Sequence, residues 1–289
     1  MRRWIAAVAR EYRGAMHALV PLLSESDLQD LRRARRMLES PGLAAQLANA
    51  VGAPMEYVFA RRLPAPVTRL INSTTRRALE QSLRFATATL DADARSQPAR
   101  SGAHAAAVAT TGALGGAFGL FGLVLELPVT TTVILRSIAD IARSEGEDLA
   151  DPGATLACFE VLTMGGRSAR DEGAESGYFA ARAVLAQQVA TAAEYIAAHG
   201  LISNGAPAIV QLLAAIASRF SINVTKKVAV QSVPVIGAVS GAALNTLFMR
   251  HFQHMARGHF TVRRLERRVG AAAVREAYAA LEREDVATA

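Results

Sequence analysis

The residues of this chain best suited to chemistry form one short series: Thr130, Thr131 and Thr132, then Arg136, Asp140 and Arg143. Arg136 and Asp140 stand at i, i+4 and Asp140 and Arg143 at i, i+3, so a helix gathers the three charges on one face. Three readings fit that pattern. A solvated ladder of ion pairs would carry no function. A half-buried network would be structural, because buried arginine and aspartate persist when paired. A pocket in which Arg136 and the threonine hydroxyls grip a phosphate or carboxylate would be a ligand site, since guanidinium donors match oxyanion acceptors. The setting favours burial, because the helix emerges from a stretch, residues 101–135, whose only charge is Glu126. Asn245, from a later run of small residues, joins the same candidate ligand set.

A second group is basic. Arg263, Arg264, Arg267 and Arg268 fall on adjacent strips of one helix, and Lys226 and Lys227 stand just before an uncharged run. Basic side chains beside apolar sequence suit contact with anionic lipid headgroups, the stems covering apolar surface while the charges reach the interface. Nucleic acid is not the expected partner: 16 aromatic residues leave few stacking platforms, and no helix-turn-helix pattern occurs.

Signals for catalysis, cofactors and metals are weak. His251, His254 and His259 form H-x2-H-x4-H, which is not a known ligand spacing, so no metal site is expected. Cys158, the one cysteine, sits between Ala157 and Phe159 and reads as a small buried hydrophobe. Glu160 and Glu175 would need the fold to bring them together before they could act as an acid–base pair. No Walker loop, dinucleotide-binding glycine pattern or nucleophile elbow is present, and no catalytic residue or cofactor is assigned.

The elements that must position these residues are helices. The 289 residues include 60 alanines, 51% of them are hydrophobic, and no sustained alternation of apolar and polar residues marks a strand. Helix punctuation recurs. Asp151-Pro152 supplies an N-cap and a first-turn proline, Gly200 a C-terminal stop after a helix from about 176 to 199, and Pro207 another start. A long helix is expected from about Pro66 to Arg95, and an amphipathic one over the first fifteen residues. The expected fold is all-α, a multi-helix bundle with a central Gly/Ala-rich apolar core. Residues 1–100 read as a basic helical N-terminal region and 101–289 as the core, with the clearest linker at Ser96–Gly102.

Charge is unevenly spread: +7 over residues 1–100, −6 over 101–215 and +6 over 216–289. Three runs lack charge, at 101–125, 195–218 and 228–249, and each has the length of a membrane-crossing helix. Their alanine, glycine and polar residues, with breaks at Gly200, Pro207 and Pro234, favour runs packed against one another in a water-soluble fold. A two-span membrane protein is the alternative.

The segment from Leu127-Pro128-Val129 through Arg136-Ser137-Ile138-Ala139-Asp140 to Asp148 resembles the EcsC family. The likeness continues at Leu156–Glu160, Glu175–Tyr178, Ser218-Arg219-Phe220, Val233–Ala238, Asn245, Phe248, Ala256–Phe260, Val262–Glu266 and Tyr278, covering about residues 50 to 280. His254 departs from the pattern, where an acid is usual. The resemblance implies an association with membrane transport and no established catalytic activity. The combined expectation is a non-catalytic bacterial protein, cytoplasmic and peripheral to the inner membrane, that binds anionic lipid or a lipid-like ligand, with a membrane transporter as a candidate partner. An enzyme acting on a lipid-like substrate around Arg136 and Asp140 is the competing reading.

Overall fold

The structure is a computed structural model that describes residues 23–39, 43–51, 63–89, 119–165, 177–200, 206–231 and 239–288. Nine α-helices and no strand occur among the described residues: α1 (Glu25–Leu38), α2 (Leu43–Val51), α3 (Ala65–Thr89), α4 (Gly119–Ser144), α5 (Pro152–Glu160), α6 (Gly177–His199), α7 (Pro207–Gln231), α8 (Val239–Val269) and α9 (Ala271–Thr288). The all-α expectation holds. The first fifteen residues, the linker at 96–102 and most of the run at 101–125 lie outside the described residues.

Local chemistry explains the helix ends. The Asp151 carboxylate accepts from the amides of Gly153 and Ala154, both at 3.2 Å, while Pro152 occupies the first turn, where its missing N–H costs nothing. Gly200, at φ 70°, closes α6 with its amide on the Ile196 carbonyl at 2.8 Å. The uncharged run 195–218 therefore divides between the end of α6 and the start of α7, and the run 228–249 divides between α7 and α8. Neither forms the single spanning helix that its length allowed.

Four long helices form a ring in which α3 packs on α4, α4 on α8, α8 on α7 and α7 on α3. Ser137 meets Gln253, and Glu147 meets Arg263, at the same separation of 116 residues, so α4 and its exit run parallel to α8. Lys227 lies by Phe248 and Phe220 by Phe252, which makes α7 antiparallel to α8. Phe220, Phe248 and Phe252, all fully buried, fill the α7–α8 seam at ring separations of 5.1 to 6.1 Å.

The helices before residue 100 share this core. Leu28, Leu31, Ala34 and Leu38 form the buried stripe of α1, which lies along α8. A Cβ on Gly258 would stand 2.7 Å from the Leu38 side chain and 3.0 Å from the Ala34 carbonyl oxygen, so glycine is what lets α1 and α8 approach this closely. On the far side, α9 packs on α8 and α1, where Arg35 donates to the Leu281 carbonyl at 3.0 Å.

Candidate functional site

The α4 series does not assemble as one pocket. Thr130 and Thr131 are fully buried, whereas Arg136 is exposed and Asp140 and Arg143 are half-buried. Helix geometry gives the reason: at about 100° per residue, Asp140 lies on the opposite side of α4 from Thr131. Thr132 sits on the third side, donating to the Pro128 carbonyl at 2.8 Å and bonding to Ser82 of α3 at 3.0 Å. Arg143 reaches Asp140 at 2.7 Å, an ion pair at the solvent margin. The threonines and the charges thus serve different environments, which corrects the expectation of a shared oxyanion pocket.

Thr130 shares its side of α4 with a polar level in the bundle core. Glu126 of α4 and Lys227 of α7, both buried, pair at 2.7 Å, with the ammonium 5.3 Å from the Phe248 ring centre. Burial drives the Lys227 pKa down, while the Glu126 carboxylate beside it draws it back up. Thr130 is one turn on from Glu126, and Asn223 is one turn back from Lys227. In antiparallel helices these two therefore stand level across the ring. Asn245, wholly buried on α8, belongs to the same level by the parallel register of α4 and α8. The side-chain oxygens of Thr130, Thr131 and Asn223 are buried without a hydrogen-bond partner among the described residues. Lys227 was expected at a membrane surface; at 1% exposure it is interior instead. Lys226 next to it is half-buried, and burial lowers its pKa.

The four arginines of α8 likewise do not form an open basic face. Arg263 holds Glu147 with two bonds, at 2.8 and 3.1 Å, and Arg267 bonds to the same carboxylate and to the Glu145 carbonyl. Arg264 bridges Glu145 and Asp30 at 2.8 Å each, and Arg268 pairs with Asp27. Four guanidiniums meet four carboxylates, so local charge cancels. The acids come from the α4 exit and from α1, which explains why α1 docks where it does. Arg268 holds the Asp27 carboxyl down at about 2, aided by bonds from Ser24 at the helix cap.

A third constellation joins α5, α6 and α8. Tyr178 and His259 Nδ1 lie 2.9 Å apart, and His259 Nε2 stands 3.9 Å from Glu160. Arg182 donates to the Tyr178 oxygen at 3.3 Å and grips Glu266 at 2.8 and 3.1 Å. When the tyrosine hydroxyl donates to Nδ1, the single proton of the neutral imidazole sits on Nε2, which is buried without a hydrogen-bond partner 3.9 Å from Glu160. Burial pushes Glu160 up to about 7 and holds His259 well below its usual range. Exposures of 5%, 0% and 6% keep substrate and bulk water away from Tyr178, His259 and Glu160. Glu175, the sequence candidate to partner Glu160, lies outside the described residues, and no local signal joins Tyr178 to His259 across 81 residues. His251 packs its ring on Gly165, remote from any shared ligand set with His259, and Cys158 is buried, its thiol pushed up to about 12. Among the described residues no group of three metal-binding side chains occurs.

Residues 25–265 match the EcsC protein family. No curated protein and no solved structure matches the chain.

Proposed function

This chain belongs to the EcsC family, and from that premise we propose that it is a non-catalytic protein of the cytoplasmic membrane surface that binds anionic lipid through the outer face of α7. The observation that carries this reading is the helix itself. Pro207–Val230 is long and apolar enough to cross a membrane, yet less than half of it is buried in the protein. Val210, Gln211, Ala214, Ser218 and Ile222 recur at helical spacing on its exposed side, and no charge interrupts them before Arg219. Neighbouring α6 widens the face: it carries no charge between Arg182 and Glu194, and Val184 is 55% exposed. A helix packed on one side and uncharged on the other, with Val210, Ala214 and Ile222 outward, suits the headgroup boundary, where its outer residues enter the interface and the inner face stays with the protein. Arg219 and Lys226, half-buried on its C-terminal half, have stems long enough to reach headgroup phosphates.

Vesicle flotation tests the reading. The protein floats with vesicles containing phosphatidylglycerol and does so less at high salt, as the chain's net charge of +7 requires. Val210→Glu combined with Ile222→Glu lowers the floated fraction at least fivefold without changing the melting temperature. Undiminished flotation of that variant, or none of the wild type, overturns it.

A further inference from the structure

Between α1, α8 and the turn after α4 lies a cleft of about 300 Å³, separate from the α7 face. Its charged walls are Asp30 and Arg33 of α1, Glu145 of the turn, and Arg257 and Arg264 of α8. Ala34 and Thr261 also line it. Such a volume holds roughly ten waters at about 30 Å³ each, or a ligand of comparable size. The cleft cannot close by sliding the helices together, because Gly258 and Ala34 already bring α1 and α8 to their limit beside it. One wall is preset: Arg264 is fixed by bonds of 2.8 Å to both Asp30 and Glu145. Arg33, 62% exposed and 3.6 Å from Asp30, stands at the mouth.

The signs of the walls choose the ligand. A lone anion entering here meets two carboxylates, and a lone cation meets three guanidiniums. A molecule carrying both signs on a short frame sets each against its opposite, an oxyanion toward the guanidiniums and an ammonium toward Glu145, which bonds to Arg264 through Oε2 and keeps Oε1 for the ligand. We propose that this cleft binds a small zwitterion composed of an oxyanion and an amine, supplied either as a free solute or as a lipid headgroup. The site is independent of the α7 face, and a membrane-binding defect in α7 leaves it intact.

Isothermal titration of the full chain with O-phosphoethanolamine tests this, with inorganic phosphate and ethanolamine titrated separately. The zwitterion saturates one site, and each half binds at least tenfold more weakly. Arg33→Gln weakens binding at least fivefold at an unchanged melting temperature, and Thr261→Phe, which fills the cleft, abolishes it. Absence of saturable binding, inorganic phosphate binding as tightly as the zwitterion, or wild-type affinity in Arg33→Gln overturns the proposal. Vesicles of phosphatidylethanolamine identify the source: release of floated protein by soluble phosphoethanolamine upholds the site with a headgroup ligand, and saturable binding without release upholds it with a free solute.

Discussion

Tyr178 and His259, from α6 and α8, share a 2.9 Å hydrogen bond in the core, and Glu160 of α5 closes the line behind the imidazole. The bond fixes a neutral histidine where desolvation forbids a charged one. Burial pushes the Glu160 carboxyl up to about 7, against the pull of Arg182 and Arg263.

That carboxyl makes stability depend on pH in a defined direction. The unfolded chain releases the Glu160 proton near pH 4.5, and the folded chain retains it to about 7. Within that window the folded state binds more protons, so its stability falls as pH rises. The full cost, reached above pH 7, is about 3 kcal/mol at 1.36 kcal/mol per unit. Glu160→Gln removes this limb and leaves the opposing histidine contributions in place. Urea unfolding at pH 5, 6, 7 and 8 therefore shows the variant gaining on the wild type at each step. Parallel curves would mean that Glu160 ionises normally in the fold.

The pair Glu126–Lys227 gives a sharper result in single than in double variants. Removing one partner strands the other charge in the core, so Glu126→Leu and Lys227→Met each cost about 3–5 kcal/mol. Replacing both, as Glu126→Leu with Lys227→Met, removes the desolvation cost along with the attraction and costs less than either single change. Chemical denaturation of the four proteins checks the cycle, and additive losses would place the pair in solvent.

Gly258 is the hinge of α1 docking. Adding one methyl forces Leu38 and the Ala34 carbonyl away from α8, and overpacking of this kind costs about 1–3 kcal/mol. Gly258→Ala lowers the melting temperature, and combining it with Leu38→Ala costs less than the sum of the two single changes, because the shortened side chain vacates the space nearest the new methyl. A double variant less stable than the sum of the two singles would show that the crowding lies elsewhere.

The legibility of this fold in its sequence follows the range of the interactions. Helix boundaries at Asp151-Pro152, Gly200 and Pro207 are set within one turn, and the sequence states them directly. So is the helical phase that puts Asp140 with Arg143. The core level is not: Glu126 finds Lys227 across 101 residues, and Arg264 finds Asp30 across 234. Counting charges along the chain made Arg263, Arg264, Arg267 and Arg268 look unopposed, because their acids belong to segments that only the docking of α1 and the α4 exit brings near. Glu145 and Glu147 stand two residues apart just past α4, but nothing local says that an arginine-rich helix 116 residues further on meets them.

The same neutralisation separates two ways of meeting a membrane. If the α8 arginines carried lipid binding, their removal would release the protein from vesicles and leave the fold alone. With Glu147 buried beneath Arg263 and Arg267, the structure requires the reverse. Arg263→Gln with Arg267→Gln strands a carboxylate that is 5% exposed, destabilising the protein by about 3 kcal/mol or more. At a temperature where the variant remains folded, its flotation with phosphatidylglycerol vesicles stays within twofold of wild type, while Val210→Glu with Ile222→Glu loses it. Loss of flotation in the arginine variant at full helicity would return lipid binding to α8 and take it from α7.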